Sequence, residues 1–277
     1  MSKTSLRLET RIGIVIPTYN VGRFVVDAAH SARTALGGCD NVCVVDDGST
    51  GRETLGALRE LKRDGFQVLR QSNQGVSAAR NSGIALLATP YAIALDADDL
   101  IEPAAPRLIA DAFDRDPASV IVTGAGINFS DGHQSDPVSP GNQDRRSMWS
   151  SSMIATASGF RVADWKRVGG FPQGVAIGED WVFWLRLLRD GGRVTTLDEV
   201  VVRHRFHSGQ VTHRVRDPRL LTKARALVLR ENPDLVAANM DQLVDELIST
   251  REVLAAYRYA YRHIDTVKSR LRGWLRR

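Results

Sequence analysis

No stretch of the 277 residues runs to about 18 consecutive apolar side chains, so nothing here is long enough to cross a bilayer as a helix. The first residues, Met1 to Arg11, are polar and mixed in charge. They lack the apolar stretch of a secretory signal, and the chain is expected to stay in the cytoplasm, with its inner membrane face as an alternative site. Cysteine is scarce. Cys39 and Cys43 are the only two, four positions apart, and a structural zinc site needs more ligands than that. They read as small apolar fillers in a reducing compartment.

An excess of either charge is also missing from most of the chain. The net charge is +5, but residues 251–277 hold eight Lys or Arg and two acids. The other 250 residues carry 29 bases and 30 acids. The basic character therefore belongs to the tail, which argues against a nucleic-acid binder. Hydrophobic residues at 43% and charged residues at 25% are ordinary for a globular protein, and the length allows a sizeable α/β core.

Short β-branched runs alternate with helical patterns. IGIVIP (12–17), NVCVVDDGST (41–50), FQVLRQ (66–71) and YAIALD (91–96) read as buried strands, two of them running into turns. Helices are expected over 21–36, 54–64, 75–88 and 103–115, with a further strand at 119–129. This alternation predicts right-handed βαβ units and a mixed, mostly parallel sheet flanked by helices. Residues 130–146 are polar and rich in Pro, Gly and Ser, and read as a mobile loop. A helix over 179–189 and a strand-like 196–207 follow. From 217 the chain reads as helical. Positions 243, 247, 250, 254, 257, 261, 264, 268, 271 and 275 form a seam at 4,3 spacing, suited to a helical hairpin or a coiled coil. A homodimer through these helices is one expectation. The end, VKSRLRGWLRR (267–277), suits either an anionic membrane surface or a solvated helix end. The expected division is a domain over 1–215 and a helical extension over 216–277.

Ligands of such sheets sit at the carboxyl ends of the strands. PTYN (17–20), Asp46–Asp47 and the cluster Asp96, Asp98 and Asp99 all fall there. Three carboxylates at the end of a buried strand repel one another and are costly to desolvate. A D-x-D at that place is a natural site for Mg²⁺ or Mn²⁺, which take one or two carboxylates and complete their shell with phosphate and water. A helix cap is the plainer reading, but one aspartate would suffice for it. Asp46 and Asp47, before Gly48, could accept bonds from ribose hydroxyls or a base N–H, or close an Asx turn. Glu179 and Asp180 open a helix rich in aromatics. Acids there commonly complement the helix dipole, yet among Trp181 and Trp184 desolvation could raise a carboxyl toward the range of a useful base.

The motifs VIPTYN (15–20), VVDDGST (44–50), NQGVSAARNSGI (73–84), ALDADD (94–99), VGGFP (168–172) and GEDWVFWLRL (178–187) occur in one order. In that order they resemble a family 2 glycosyltransferase of the GT-A fold, over about residues 11–213. RHRFHSGQVT (203–212) is similar to the family's closing stretch. The resemblance implies a nucleotide-sugar donor (UDP by default), a saccharide or lipid-linked acceptor, a divalent metal and inversion at the anomeric carbon. It also implies nucleotide contacts from Pro17, Tyr19, Asp47 and Arg80, and donor contacts from Asp96 and Asp98. Asp98 or Asp99 would ligate the metal, with His207 near metal or diphosphate. Asp180 would be the general base, with Glu179 as the alternative. Gly51 departs from the family's usual aspartate, at what reads as a cap position. A haloacid-dehalogenase phosphatase would carry its D-x-D on an early strand. A nucleotidyltransferase would need a Gly-rich basic loop near the N-terminus. A non-catalytic donor-binding or assembly protein of the same fold would be expected to lose Asp180 or an aspartate of the cluster.

Overall fold

The computed structural model describes residues 8–130, 132–175, 177–207, 221–245, 247–256 and 259. A nine-stranded mixed sheet organises the first of two compact units, Met1–Val228. Its parallel half is built from β1 (Ile12–Thr18), β2 (Val42–Asp46), β3 (Gln67–Arg70) and β4 (Tyr91–Ala94), in the order β3-β2-β1-β4. Every residue of β1, β2 and β4 is buried. Strands covered on both faces are expected to read as continuous apolar runs rather than as alternating patterns, and these do.

Between the strands lie α1 (Phe24–Leu36), α2 (Arg52–Arg63) and α3 (Val76–Ile84). The helix expected over 75–88 stops early. The amides of Leu86 and Leu87 bond back to Gly83 and Ile84, three residues away, which tightens the end of α3 into a turn. α3 lies unusually close to the sheet. A Cβ on Gly83 would stand 2.4 Å from Val15 Cγ1 and 2.9 Å from Val45 Cγ2.

Past β4 the sheet changes direction. β5 (Leu100–Ile101) and α4 (Ala105–Arg115) precede the long β6 (Ser119–Ser130). β7 (His133–Gln134) turns back on β6, and β8 (Gly159–Arg161) runs antiparallel between β4 and β6. α5 (Val162–Arg167) and α6 (Glu179–Leu187) lead to β9 (Arg193–Arg205), which is parallel to β6 and antiparallel to β5. β5 and β8 are two and three residues long, too short for any periodicity to mark them in the sequence.

The 130–146 segment, expected to be a mobile loop, is tied to β6. Gly126 and Val138 exchange two backbone hydrogen bonds, of 3.0 and 2.8 Å, and Ser135 N donates to Asn128 O at 2.8 Å.

α7 (Thr222–Glu231) begins in the first unit. The second unit, Leu229–Arg277, contains α8 (Pro233–Ala238) and further helical residues from Met240 to Ala256. Met240, Val244, Leu247, Ile248 and Leu254 are exposed there. The rest of the apolar seam at 257, 261, 264, 271 and 275, and the basic end 267–277, lie outside the described residues. Among the described residues no helix is long and apolar enough to cross a membrane.

Candidate active site

The carboxyl ends of β1, β2 and β4 meet at one rim. Thr18 is in register with Asp46, and Val15 with Ala94. Asp47 N donates to Thr18 O at 2.9 Å, and Leu95 N to Val15 O at 2.9 Å, so the segments stay together past their last strand residues. Pro17 is buried within β1, whereas Tyr19, just beyond it, is 49% exposed on the rim. Asn20 takes the left-handed conformation (φ 53°) and turns its side chain toward α2. Its Oδ1 accepts from Thr50 N and Gly51 N at 2.9 and 2.8 Å. Gly51 is the N-cap of α2, as its place in the motif suggested, and it offers no side chain of its own.

Asp46 and Asp47 are both buried and engaged. Asp46 accepts from Ser49 N at 2.8 Å and from Arg70 at 2.6 Å, closing the turn after β2. Asp47 accepts from Gln71 Nε2, Gln74 N and Gly75 N at 2.8–2.9 Å, which fixes the approach to α3. Both carboxylates thus shape the walls of the rim.

The acidic cluster divides its work between two neighbours. Asp99 is 5% exposed, lies 2.6 Å from His204 Nδ1, and accepts from Arg205 N at 3.0 Å. Burial pushes its carboxyl up to about 6, while the bond and charge of His204 pull the other way. His204 is itself shifted upward. Burial acts against its charged form, but the bond and charge of Asp99 outweigh that. Arg205 also donates from Nε to Asp98 O at 3.0 Å and lies 4.8 Å from the ring centroids of both Phe24 and Phe129. The end of β9 therefore grips the loop after β4.

Asp98 is more open, and its Oδ2 lies 2.9 Å from His207 Nε2. One carboxylate oxygen beside one imidazole nitrogen at a rim is a donor pair that Mn²⁺ or Mg²⁺ can use, with diphosphate oxygens and water completing the shell. Among the described residues no group of three or more His, Cys, Asp or Glu side chains converges as a metal site, so such an ion would depend on its substrate for ligands. Asp99, the other candidate ligand, is bonded on both oxygens, to His204 and to the backbone of Arg205.

Arg80 links the two halves of the site. It projects from α3, is 2% exposed, and donates to Glu179 Oε1 at 2.6 Å and to Asp96 Oδ1 at 2.7 Å. Its guanidinium carbon lies 5.2 Å from the ring centroid of Phe171. Burial alone would weaken its charge, but Asp96 and Glu179 more than offset this and hold it protonated. Glu179 is buried against this cation. Asp180, next along the first turn of α6, has weaker attachments: 3.3 Å from Thr156 Oγ1 and a 2.8 Å bond from Trp181 N. Burial, reinforced by the negative charge of Glu179, pushes the Asp180 carboxyl up to about 6, and Arg80 opposes the shift. Gly178 admits the helix by taking φ 81°, and a Cβ there would meet Ala224 of α7 at 3.0 Å.

Four residues of the site escaped the sequence reading. Asn81 accepts from Trp165 Nε1 and Phe171 N and donates to Phe171 O, each at 2.9 Å, and so anchors the GGFP turn to α3. It stood inside the quoted NSG stretch, and an amide beside a helical arginine was the available signal. Asn20, His204 and Arg205 also stood inside quoted motifs, but nothing local told which partner each would find.

A family model described as glycosyl transferase family 2 matches residues 13–167, more than half of the chain. Chondroitin synthase of Escherichia coli is 27% identical over 195 residues, covering 69% of this chain and 28% of the relative. EpsJ of Bacillus subtilis, described as an uncharacterized glycosyltransferase, is 24% identical over 217 residues, covering 73% of this chain and 62% of the relative. The chain thus spans less than two thirds of either relative's length. Among solved structures, S. aureus TarS 1–349 in complex with UDP superposes with a TM-score of 0.61 at 19% identity, covering 80% of this chain and 65% of that one. That likeness is one of fold, and the fold is of the GT-A type.

Proposed function

This chain belongs to glycosyl transferase family 2, and we propose that it is an inverting glycosyltransferase, moving a sugar from a nucleoside-diphosphate donor to an acceptor hydroxyl. The observation that carries this reading is the shared guanidinium of Arg80. It binds Asp96 of the donor-side loop and Glu179 of the helix that bears Asp180, so the two halves of a displacement site stand on one cation.

In the proposed reaction the acceptor hydroxyl attacks the anomeric carbon. Asp180 takes the hydroxyl proton as the new C–O bond forms. The bond from the anomeric carbon to the phosphate oxygen breaks, and its electron pair leaves with the nucleoside diphosphate. A single displacement of this kind inverts the centre. A placed carboxylate base contributes about 10²–10⁴-fold. Glu179 is a poor rival for that role, since it is buried in an ion pair with Arg80. Asp98 and His207 would hold Mn²⁺ or Mg²⁺, which when bound neutralises charge on the leaving diphosphate. With the leaving group stabilised in that way, no second catalytic carboxylate is needed as acid. Tyr19, exposed on the rim, would meet the nucleotide, while Asp46 and Asp47 shape the loops around it.

UDP is the default donor nucleotide. It is supported by the fold shared with S. aureus TarS, which has been solved with UDP and with UDP-GlcNAc. Relatedness to chondroitin synthase supports a role in polysaccharide or glycoconjugate synthesis, with a saccharide or lipid-linked acceptor. The exposed apolar residues of the second unit and the basic end beyond them suit self-association or contact with an anionic membrane surface.

A thermal-shift screen of nucleoside diphosphates and nucleotide-sugars with Mn²⁺ tests the reading. A ligand that binds only the folded chain at a hundredfold excess over its Kd adds about 2.7 kcal/mol of apparent stability. UDP or a UDP-sugar should raise Tm in a Mn²⁺-dependent way. Absence of a shift with every nucleoside diphosphate would overturn it.

A further inference from the structure

We propose that Arg80 is a positioning residue for this reaction: a buried cation shared by Asp96 and Glu179 that locks the first turn of α6, and with it Asp180, to the acidic loop. The inference deepens the reading above and rests on Asp180 being the base.

A ligand could reach little of Arg80. Its side chain is 3% exposed, and both terminal nitrogens are held by carboxylates at 2.6 and 2.7 Å. A nucleotide contact, the role implied by family resemblance, would have to be made through that remaining surface. Its Nε finds no partner among the described residues. Burying an unpartnered N–H and a full charge is unfavourable, and a helix facing the sheet could fill the place with an apolar side chain. What the arginine supplies is a planar fork that can bind two separate carboxylates at once, which a lysine cannot do with the same geometry.

The surroundings are built to hold that fork still. Phe171 packs against the guanidinium, and the backbone of Phe171 is bonded on both sides by Asn81, the next residue of α3. Consecutive residues of one helix therefore fix α6 and the turn before it.

Asp180 receives the consequence. Among the described residues, the charged groups that act most on it are Glu179 on its own helix, Arg80 from α3 and Asp96 from the loop after β4. Thr156, at 3.3 Å, brings only a hydroxyl. Arg80 alone among these three charges favours the ionised base, while Glu179 and Asp96 oppose it. Deleting the cation and deleting Glu179 should therefore move the base in opposite directions. A part that merely holds the fold together would not produce that signature.

The experiment is a ¹³C-carboxyl NMR titration of Asp180 in the full chain, assigned by its loss in Asp180→Asn. Arg80→Gln should move the Asp180 titration to higher pH by about one unit, and Glu179→Gln to lower pH by a similar amount. Arg80→Lys keeps the charge but not the fork. Its titration should stay near the wild-type value while kcat falls about tenfold or more. Should Arg80→Gln fail to fold, Glu179→Gln and Arg80→Lys still carry the test. Titrations that coincide in all variants, or that move in one direction for both neutral substitutions, would overturn the proposal. The titration needs no turnover. A wild-type chain that transfers no sugar therefore counts against the proposed function, while unmoved titrations in an active enzyme count against Arg80 alone.

Discussion

His204 Nδ1 lies 2.6 Å from Asp99 Oδ2, a contact between residues 105 apart in the chain. Through it the last strand of the sheet holds the acidic loop, and Asp98 is presented by its neighbour's anchorage. Partners that orient metal-binding side chains typically matter by about 10–100-fold in affinity. His204→Ala should weaken Mn²⁺-dependent UDP binding by about that factor in calorimetry, with little change in the folded core.

Asp98→Asn should be more severe than His204→Ala, because it removes a charged donor of the Asp98–His207 pair itself. A chelator should likewise weaken UDP binding to the wild-type chain and have little further effect on Asp98→Asn. Calorimetry in matched buffers with Mn²⁺ and with EDTA checks both.

Asp180→Asn should lower turnover by about 10²–10⁴-fold while leaving donor affinity within a few-fold of wild type. As the proposed base, Asp180 acts only when ionised. Its carboxyl is pushed up to about 6, so turnover should rise with pH through about 6 and level off above it. A profile of kcat/KM from pH 5 to 8 reads this directly.

The same shift bears on stability, with a definite sign. A carboxyl whose folded pKa stands above its unfolded value favours the folded state below the unfolded pKa, and that contribution is lost as pH rises through the folded one. For Asp180 the loss falls between about pH 4, the ordinary aspartate value, and about 6. Above that window the ionised Asp180 is a strained group. Asp180→Asn should therefore raise stability at pH 7.5 by on the order of 1 kcal/mol relative to its effect at pH 4. Urea denaturation at the two pH values measures the difference.

Asn81→Ala leaves the indole N–H of Trp165 and both backbone groups of Phe171 without the partners they have in the native chain. Each buried polar group left unpaired costs about 1–3 kcal/mol. The variant should unfold at a clearly lower urea midpoint. It should also lose activity beyond what instability explains, since Phe171 backs Arg80.

The parallel half of the sheet was legible because its strands are buried on both faces and so read as unbroken apolar runs. The rim was legible because Asp46, Asp47 and the Asp96–Asp99 cluster each end such a run. What escaped is what short range conceals. β8 has three residues and no period, yet it carries the sheet from β4 to β6. The 130–146 segment has loop composition, but its backbone pairs with β6 through Val138. Asp47 and Arg80 were read as nucleotide contacts from their motifs, and their bonds within the protein became visible only with the chain folded.

Residue type and order by themselves determined the family, the α/β class and the carboxylates at the strand ends, because these depend on local runs and on chemistry that no other side chains supply. Only the tertiary structure decided how the carboxylates differ. Asp99 is bonded by His204 and Arg205 while Asp98 faces His207, and Glu179 is held by Arg80 while Asp180, among the described residues, has a long contact and a bond from its own helix. Neighbouring aspartates have nearly the same intrinsic affinity for protons and metals. Their roles separate through burial and through the charges brought beside them, and the residues that do so here stand about 100 positions away in the chain.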